Sequence, residues 1–259
     1  MITLHHVPQS RSMRVLWLLH ELEVPDFQVQ VHPFDRGLRS PEFLTLSPAG
    51  RVPAMEIEGE RMFESGAMIE YLCERFPERN LGREPSNPDR MAWLTWLHFA
   101  ETVTVHAAAL TQQHIMLYED YMRSPYIMQL EAKRLAKCYE AIEARLSTPV
   151  ENRDYLLTSG FSAVDIAVGQ AVYVGRHFVK TDDYPELSAW YERITERSSF
   201  AATMAVGEQK LYTEAFYAPW PFPERSETLA DMSKFLRSAR GTVCRMKSAK
   251  SRPRRKLRW

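Results

Sequence analysis

The spacing of apolar residues along the first 80 positions alternates between that of strands and that of helices. Residues 2–7 form an apolar-leaning extended run, and residues 27–32 alternate apolar and polar side chains as a half-buried strand does. Between these runs, four apolar side chains recur at i, i+3, i+4 and i+7, which indicates one face of an amphipathic helix. They are Val15, Leu18, Leu19 and Leu22. With a second helix, two short strands that meet at Gly59 and a final helix, the order predicts βαβαββα, a thioredoxin-like α/β arrangement.

Helical spacing dominates the rest of the chain. Proline, glycine and asparagine are concentrated in residues 79–88, a segment that cannot continue a helix and that we expect to connect two domains. We therefore predict a thioredoxin-like domain over residues 1–78 and an all-helical (all-α) domain over residues 89–224. Within the second domain, Ser162 and Asp165 precede a run of apolar residues in the pattern of a capping box, which predicts the start of a helix.

The charge of the chain is unevenly distributed. The sequence has 33 basic and 33 acidic residues, so its formal net charge is zero. Residues 232–259 hold eleven of the basic residues and none of the acidic ones, which leaves 22 basic against 33 acidic residues before them. This composition predicts a disordered basic tail over residues 225–259, solvated and without a specific partner. Binding of nucleic acid or of an anionic surface by this tail is the alternative.

The functional interpretation depends on residues 51–66. Pro53 opens an apolar run, and a proline there belongs at the first position of a strand or at a bend, because it cannot donate to the ladder. It restricts Val52 to extended geometry, which leaves the backbone N–H and C=O of Val52 free to pair with a peptide-like ligand. Ser65 is the expected N-cap of the following helix, so the exposed N–H groups beside Glu64 are suited to a carboxylate.

This segment resembles a known family of proteins. Residues 40–54 read SPEFLTLSPAGRVPA and, taken with Glu64 and Ser65, are similar to the glutathione-binding half of the cytosolic glutathione S-transferases. The resemblance implies the fold of that family (the GST fold), with a cis bond before Pro53 and with the backbone of Val52 paired to the cysteinyl part of glutathione. It also implies that Glu64 and Ser65 hold the γ-glutamyl end. Glutathione is then a co-substrate, and no metal is expected.

A transferase of this kind must remove the proton from the thiol of glutathione. A thiol with a pKa of roughly 8.5 is only a few per cent thiolate at neutral pH, and the thiolate is the nucleophile. The N-terminus of the first helix is the place to stabilise it, because the helix dipole and the unpaired N–H groups there favour negative charge. The hydroxyl groups available are those of Ser10 and Ser12. The spacing to Arg14, which matches an arginine of serine-type family members, favours Ser10; Ser12 is the other catalytic candidate, or else a helix N-cap.

Further ligand contacts are predicted in both domains. Arg11 and Arg51 are candidates for binding the carboxylates of glutathione, although either could be an ordinary surface arginine. On the first long helix of the second domain, Phe99, Val103 and His106 are candidates for an apolar pocket that receives the electrophile. Ordinary core or dimer contacts are the alternative for each of these three side chains.

We therefore interpret the chain as a cytoplasmic glutathione S-transferase of serine type that acts on a small hydrophobic electrophile. The resemblance covers about the first 205 residues and implies a homodimer. No apolar run is long enough to cross a membrane, and no secretory leader pattern is present. Two alternatives stay open: a glutathione-dependent disulfide reductase or peroxidase, and a non-catalytic interaction protein of the same fold. The lack of a cysteine in residues 7–14 weakens the reductase interpretation.

Overall fold

A computed structural model describes residues 1–149 and 152–218 of the chain. Residues Met1–Ala218 form one compact unit, which contains the thioredoxin-like part and the helical part. The basic tail predicted for residues 225–259 lies outside the described residues, as does Cys244.

A mixed four-stranded sheet forms the first part of this unit. Its strands are β1 (Ile2–His6), β2 (Phe27–Val31), β3 (Ala54–Ile57) and β4 (Glu60–Phe63), in the order β2–β1–β3–β4. Strands β1 and β2 are parallel and are connected by a helix, whereas β3 runs antiparallel to both of its neighbours. The register pairs His5 with Ala54, so the turn that follows β1 lies at the same edge of the sheet as the segment that precedes β3.

Eight α-helices accompany the sheet, and helices are the only regular secondary structure after β4 among residues 1–149 and 152–218. They are α1 (Ser12–Glu21), α2 (Pro41–Leu44), α3 (Ser65–Arg75), α4 (Arg90–Thr111), α5 (Pro125–Leu146), α6 (Ala163–Gly175), α7 (Pro185–Thr195) and α8 (Ser198–Met204). Helix α2 is a single turn that follows a 3-10 turn at Arg36–Arg39, and α4 is extended by a π-helical segment, Gln112–Met116. The predicted βαβαββα order followed by helices is confirmed.

Helix α6 lies at the centre of the helical part, and every one of its residues is buried. The predicted capping box is present at its start, where the Ser162 N–H donates to Asp165 Oδ2 at 2.9 Å. The other carboxylate oxygen of Asp165 accepts the Leu156 N–H at 3.0 Å and the Trp190 Nε1–H at 2.9 Å. Burial raises the pKa of Asp165 to about 6, although these donors oppose the shift. The carboxylate of Asp165 therefore caps the start of α6 and also connects α6 to α7.

No helix among residues 1–149 and 152–218 is long and apolar enough to cross a membrane.

Candidate functional site

The turn after β1 lies beside the segment before β3. Val7 and Ala54 belong to one buried apolar cluster, and Val52 packs against that cluster. The Val52–Pro53 peptide bond is cis. Neither the N–H nor the C=O of Val52 has a hydrogen-bond partner among residues 1–149 and 152–218. An open backbone donor and acceptor therefore lie at the edge of the sheet where the turn begins.

The two candidate hydroxyl groups of the turn differ in their exposure. Ser10 is half-buried, whereas Ser12 has no exposed surface. Ser12 Oγ accepts the Val7 N–H at 3.1 Å and lies 2.8 Å from both Ser10 Oγ and His6 Nδ1. Because the hydrogen-bonding capacity of Ser12 is used inside the protein, Ser10 is the one of these two serines that can offer a hydroxyl to a ligand.

The N-terminus of α1 is open next to Ser10. Arg11 occupies the N-cap position without a side-chain cap, and its N–H has no partner in the described part of the chain. The Ser12 N–H donates to Ser10 Oγ at 3.2 Å. The unpaired N–H and the positive end of the helix dipole favour an anion beside Ser10.

Arg14 has no exposed surface and links α1 to three other helices. Its guanidinium donates to Gln170 Oε1 at 2.9 and 3.2 Å and to Thr104 Oγ1 at 2.9 Å. It also donates to Ser65 Oγ at 3.5 Å and forms an ion pair with Glu101. These contacts fix the starts of α1 and α3 relative to α4 and α6.

Glu101 of α4 also contacts the turn directly. Arg11 donates to Glu101 Oε2 at 3.0 Å, and the side chain of Glu101 is 38% exposed. Burial alone would raise the pKa of Glu101, but the positive charges of Arg14 and Arg11 outweigh burial and hold that pKa below its ordinary value. The carboxylate is therefore ionised at neutral pH and neutralises the buried arginine.

The start of α3 differs from the sequence prediction. Glu64 occupies the N-cap position, with a φ of 77°, and Ser65 is the first helical residue. The expectation that Ser65 caps the helix is wrong because its side chain is turned inward, where its hydroxyl meets Arg14. The N–H groups of Ser65 and Gly66 have no partners among residues 1–149 and 152–218, and the side chain of Glu64 is exposed.

The predicted electrophile-binding residues lie elsewhere on α4. His106 Nδ1 is 2.7 Å from Glu131 Oε2 of α5, and Val103 has no exposed surface. Phe99 shares the side of α4 on which His106 lies, because seven positions correspond to about two helical turns. Glu101, which contacts the turn, is about 200° around the helix from Val103. The structure therefore does not bring Phe99, Val103 and His106 to the turn.

Two protein-family models match this chain. The model "Glutathione S-transferase, N-terminal domain" matches residues 4–80, and the model "Glutathione S-transferase, C-terminal domain" matches residues 107–198. The chain belongs to the glutathione S-transferase family. The family and the fold predicted from the sequence are thereby confirmed.

Relatives of this glutathione S-transferase family member include proteins of two named activities. Glutathione S-transferase 3 of Schizosaccharomyces pombe is 24% identical over 204 residues, which cover 76% of this chain and 84% of the relative. The disulfide-bond oxidoreductase YfcG of Escherichia coli is 28% identical over 205 residues, which cover 76% of this chain and 91% of the relative. The solved glutathione transferase URE2P8 of Phanerochaete chrysosporium has the same fold, with a TM-score of 0.69 at 22% identity over 78% of this chain and 92% of that one.

Sequence reasoning missed three side chains of this candidate site: His6, Glu101 and Gln170. Glu101 and Gln170 are 87 and 156 positions from Arg14, so no local pattern connects them. His6 is the second of two adjacent histidines that end β1, directly before the turn, and this position is the sequence signal that could have found it. No group of three or more His, Cys, Asp or Glu residues within 1–149 and 152–218 is arranged to hold a metal ion.

Proposed function

We propose that this member of the glutathione S-transferase family binds glutathione at the turn after β1 and activates its thiol with the hydroxyl of Ser10. The observation that carries the proposal is a half-buried hydroxyl at the open N-terminus of α1, beside the segment in which the backbone of Val52 is unpaired. The P. chrysosporium transferase of the same fold binds oxidized glutathione, which supports a glutathione site here.

A thiolate at this turn has two sources of stabilisation. The hydroxyl of Ser10, directed at the sulfur, makes a hydrogen bond to a charged group, which contributes about 1.5–3 kcal/mol. The dipole of α1 contributes about 0.3–1 kcal/mol. Since one pKa unit corresponds to about 1.4 kcal/mol, the two together lower the pKa of the bound thiol by about two units. The thiolate then forms a C–S bond with an electrophilic carbon, and the leaving group departs with its electron pair.

The charged ends of glutathione have suitable groups on either side of the turn. At the γ-glutamyl end, the unpaired N–H groups of Ser65 and Gly66 suit the carboxylate, and Glu64 suits the ammonium group. At the glycine end, Arg51 is exposed, and its side chain makes no hydrogen bond or ion pair within the described residues. Arg11 is less available because it pairs with the carboxylate of α4.

The second substrate rests, in this proposal, against the side of α4 that meets the turn. Val105 and Ala108 follow Glu101 by four and seven positions, so the three side chains share one face of the helix. Both are exposed, Val105 by 60%, which leaves an apolar strip beside the carboxylate. A small hydrophobic electrophile fits such a strip. The strip lies about half a turn around α4 from the electrophile-binding residues predicted from the sequence, Phe99, Val103 and His106.

The test is a calorimetric titration of glutathione into the wild type and into Ser10→Ala, with the ultraviolet absorbance of the bound thiolate followed against pH. Ser147→Ala is the matched control, because this exposed hydroxyl at the end of α5 donates only to the backbone of its own helix. We expect a lowered thiol pKa in the wild type and in the control. In Ser10→Ala we expect the thiol pKa to rise by about one to two units towards the free value, because the helix dipole remains.

Two outcomes would contradict the proposal at different points. If glutathione binds and its thiol pKa stays low in Ser10→Ala, backbone donors rather than this hydroxyl activate the thiol. If glutathione does not bind to the wild type, the chain is not a glutathione enzyme, and the non-catalytic interpretation takes its place.

Disulfide reduction is the second candidate function, because the E. coli relative is a disulfide-bond oxidoreductase. The described cysteines do not contribute a thiol to the turn: Cys73 lies on α3 and Cys138 on α5, and both are buried and free. Any such activity would use the thiol of glutathione itself. Turnover of a small disulfide by a variant without cysteines, faster than conjugation of an aryl halide, would favour this candidate.

A further inference from the structure

His6 ends β1 and is connected to Ser10 through one buried hydroxyl. Its Nδ1 lies 2.8 Å from Ser12 Oγ, and Ser12 Oγ lies 2.8 Å from Ser10 Oγ. The side chain of His6 is 1% exposed and that of Ser12 is not exposed at all, whereas Ser10 is half-buried. A chain of three hydrogen-bonding groups therefore runs from the interior to the surface of the site.

The number of protons and lone pairs on Ser12 restricts how this chain is arranged. A hydroxyl has one proton and two lone pairs, and one lone pair of Ser12 Oγ already accepts the Val7 N–H at 3.1 Å. The remaining lone pair accepts a hydrogen bond from His6 Nδ1–H or from the Ser10 O–H, but not from both. When His6 donates to Ser12, Ser10 therefore cannot donate to it. The single proton of Ser12 then goes to Ser10 Oγ at 2.8 Å or to the carbonyl oxygen of Val7 at 3.2 Å.

The two directions have opposite effects at Ser10. When His6 Nδ1–H donates to Ser12, Ser12 is free to donate to Ser10 Oγ, which also accepts the Ser12 N–H at 3.2 Å. Whichever acceptor Ser12 takes, both of its own lone pairs are occupied by the N–H groups of Val7 and His6, so the O–H of Ser10 cannot donate to Ser12 and points outward, as a donor to a thiolate. In the reverse direction Ser10 donates inward and keeps one lone pair, which favours the protonated thiol.

The surroundings of His6 favour the outward direction. Burial lowers the pKa of His6 from 6.5 to about 4, so the imidazole is neutral at pH 7 and carries a single N–H. Nε2 has no hydrogen-bond partner among residues 1–149 and 152–218, so no acceptor there competes for that proton. Placing the proton on Nδ1 uses it in a hydrogen bond, whereas placing it on Nε2 leaves a donor without a protein partner.

We infer that His6 is a positioning residue whose Nδ1–H, acting through Ser12, orients the hydroxyl of Ser10 towards the sulfur of glutathione. This inference rests on the proposed function, since it concerns the same hydroxyl. It assigns His6 no contact with glutathione and no transfer of a proton. Its role is to determine which partner the proton of Ser10 faces.

The first test is made on the glutathione-free wild type. Nitrogen-15 NMR of histidine-labelled protein, with the His6 signal assigned by its absence from His6→Asn, reports which ring nitrogen carries the proton at pH 7. We expect the Nδ1–H tautomer. The Nε2–H tautomer would overturn the inference whether or not glutathione binds.

The second test compares His6→Asn with His6→Leu by the thiol pKa of bound glutathione. The amide nitrogen of asparagine can replace Nδ1 as a donor, whereas leucine removes the donor. We expect His6→Leu to raise the bound thiol pKa by about one unit, a tenfold loss of thiolate at a given pH below that pKa, and His6→Asn to restore most of it. His20→Asn, at the far end of α1, is the control and should leave the thiol pKa unchanged.

The outcomes separate this inference from the proposed function. If Ser10→Ala raises the thiol pKa but His6→Leu does not, Ser10 is the activating group and His6 has no part in orienting it. If both His6 variants raise the thiol pKa equally, a loss of packing explains the result, and the inference fails. If neither Ser10→Ala nor His6→Leu has an effect, both the proposed function and this inference fail.

Discussion

The ion pair between Arg14 and Glu101 should contribute strongly to the stability of the folded state, and its two partners differ in their exposure to water. The guanidinium of Arg14 is completely buried, whereas the side chain of Glu101 is 38% exposed. Glu101→Gln keeps the shape of the side chain but leaves the buried positive charge of Arg14 without the carboxylate that neutralises it. Removing one partner of a buried pair costs about 3–5 kcal/mol, and we expect the lower end, about 3 kcal/mol, because water screens the exposed side.

Urea unfolding followed by circular dichroism, at fixed protein concentration, measures this loss. With a slope of about 3 kcal/mol per molar urea for a chain of this size, the midpoint should fall by about 1 M at pH 7. The control is Glu58→Gln, which removes an exposed carboxylate from its ion pair with Arg75 and should leave the midpoint unchanged.

The pH dependence of the same loss has a definite sign. The pKa of Glu101 is held below its ordinary value of 4.5, so its ionised form stabilises the folded state above that value, and this contribution is lost as the pH falls through the lower, folded-state pKa. The difference between wild type and Glu101→Gln should therefore be full at pH 7 and shrink below about pH 4. An equal loss in Glu58→Gln, or a difference that does not shrink in acid, would refute the reasoning.

Two further predictions concern single positions. Cys73 and Cys138 are both buried, and burial raises the pKa of the Cys73 thiol to about 12. In a Cys244→Ser variant, neither thiol should therefore react with a thiol reagent at pH 8 until urea unfolds the chain. Rapid labelling of the native protein would contradict this prediction. Gly50→Ala should destabilise the folded protein by about 2 kcal/mol, because Gly50 has a φ of +60° and an added Cβ would come within 2.9 Å of the Leu38 carbonyl oxygen. Gly66→Ala is the control: an added Cβ there meets nothing within 4 Å, so this substitution should not destabilise the protein. Thermal melting of both glycine variants checks the difference.

The parts of the candidate site that the sequence indicates are those whose signals lie within a few residues of one another. Pro53 restricts its own neighbour, and Ser10 lies in the turn that connects a recognisable strand to a recognisable helix. The capping box of Ser162 and Asp165 is likewise a pattern of four residues, and the structure has it as predicted. Local chemistry is readable in these cases because the interacting groups are close along the chain.

The side of α4 that meets the turn could not be predicted from such local patterns. Apolar side chains occur on several sides of this helix: Val103 is fully buried in the core, while Val105, two positions later, is 60% exposed. Periodicity alone cannot say which of these sides meets the turn, because that depends on distant partners such as Gln170 for Arg14 and Glu131 for His106. The residues that receive a second substrate are therefore determined by how α4 packs against α5 and α6, and a substitution at Val105 should change substrate preference where one at Val103 would mainly change stability.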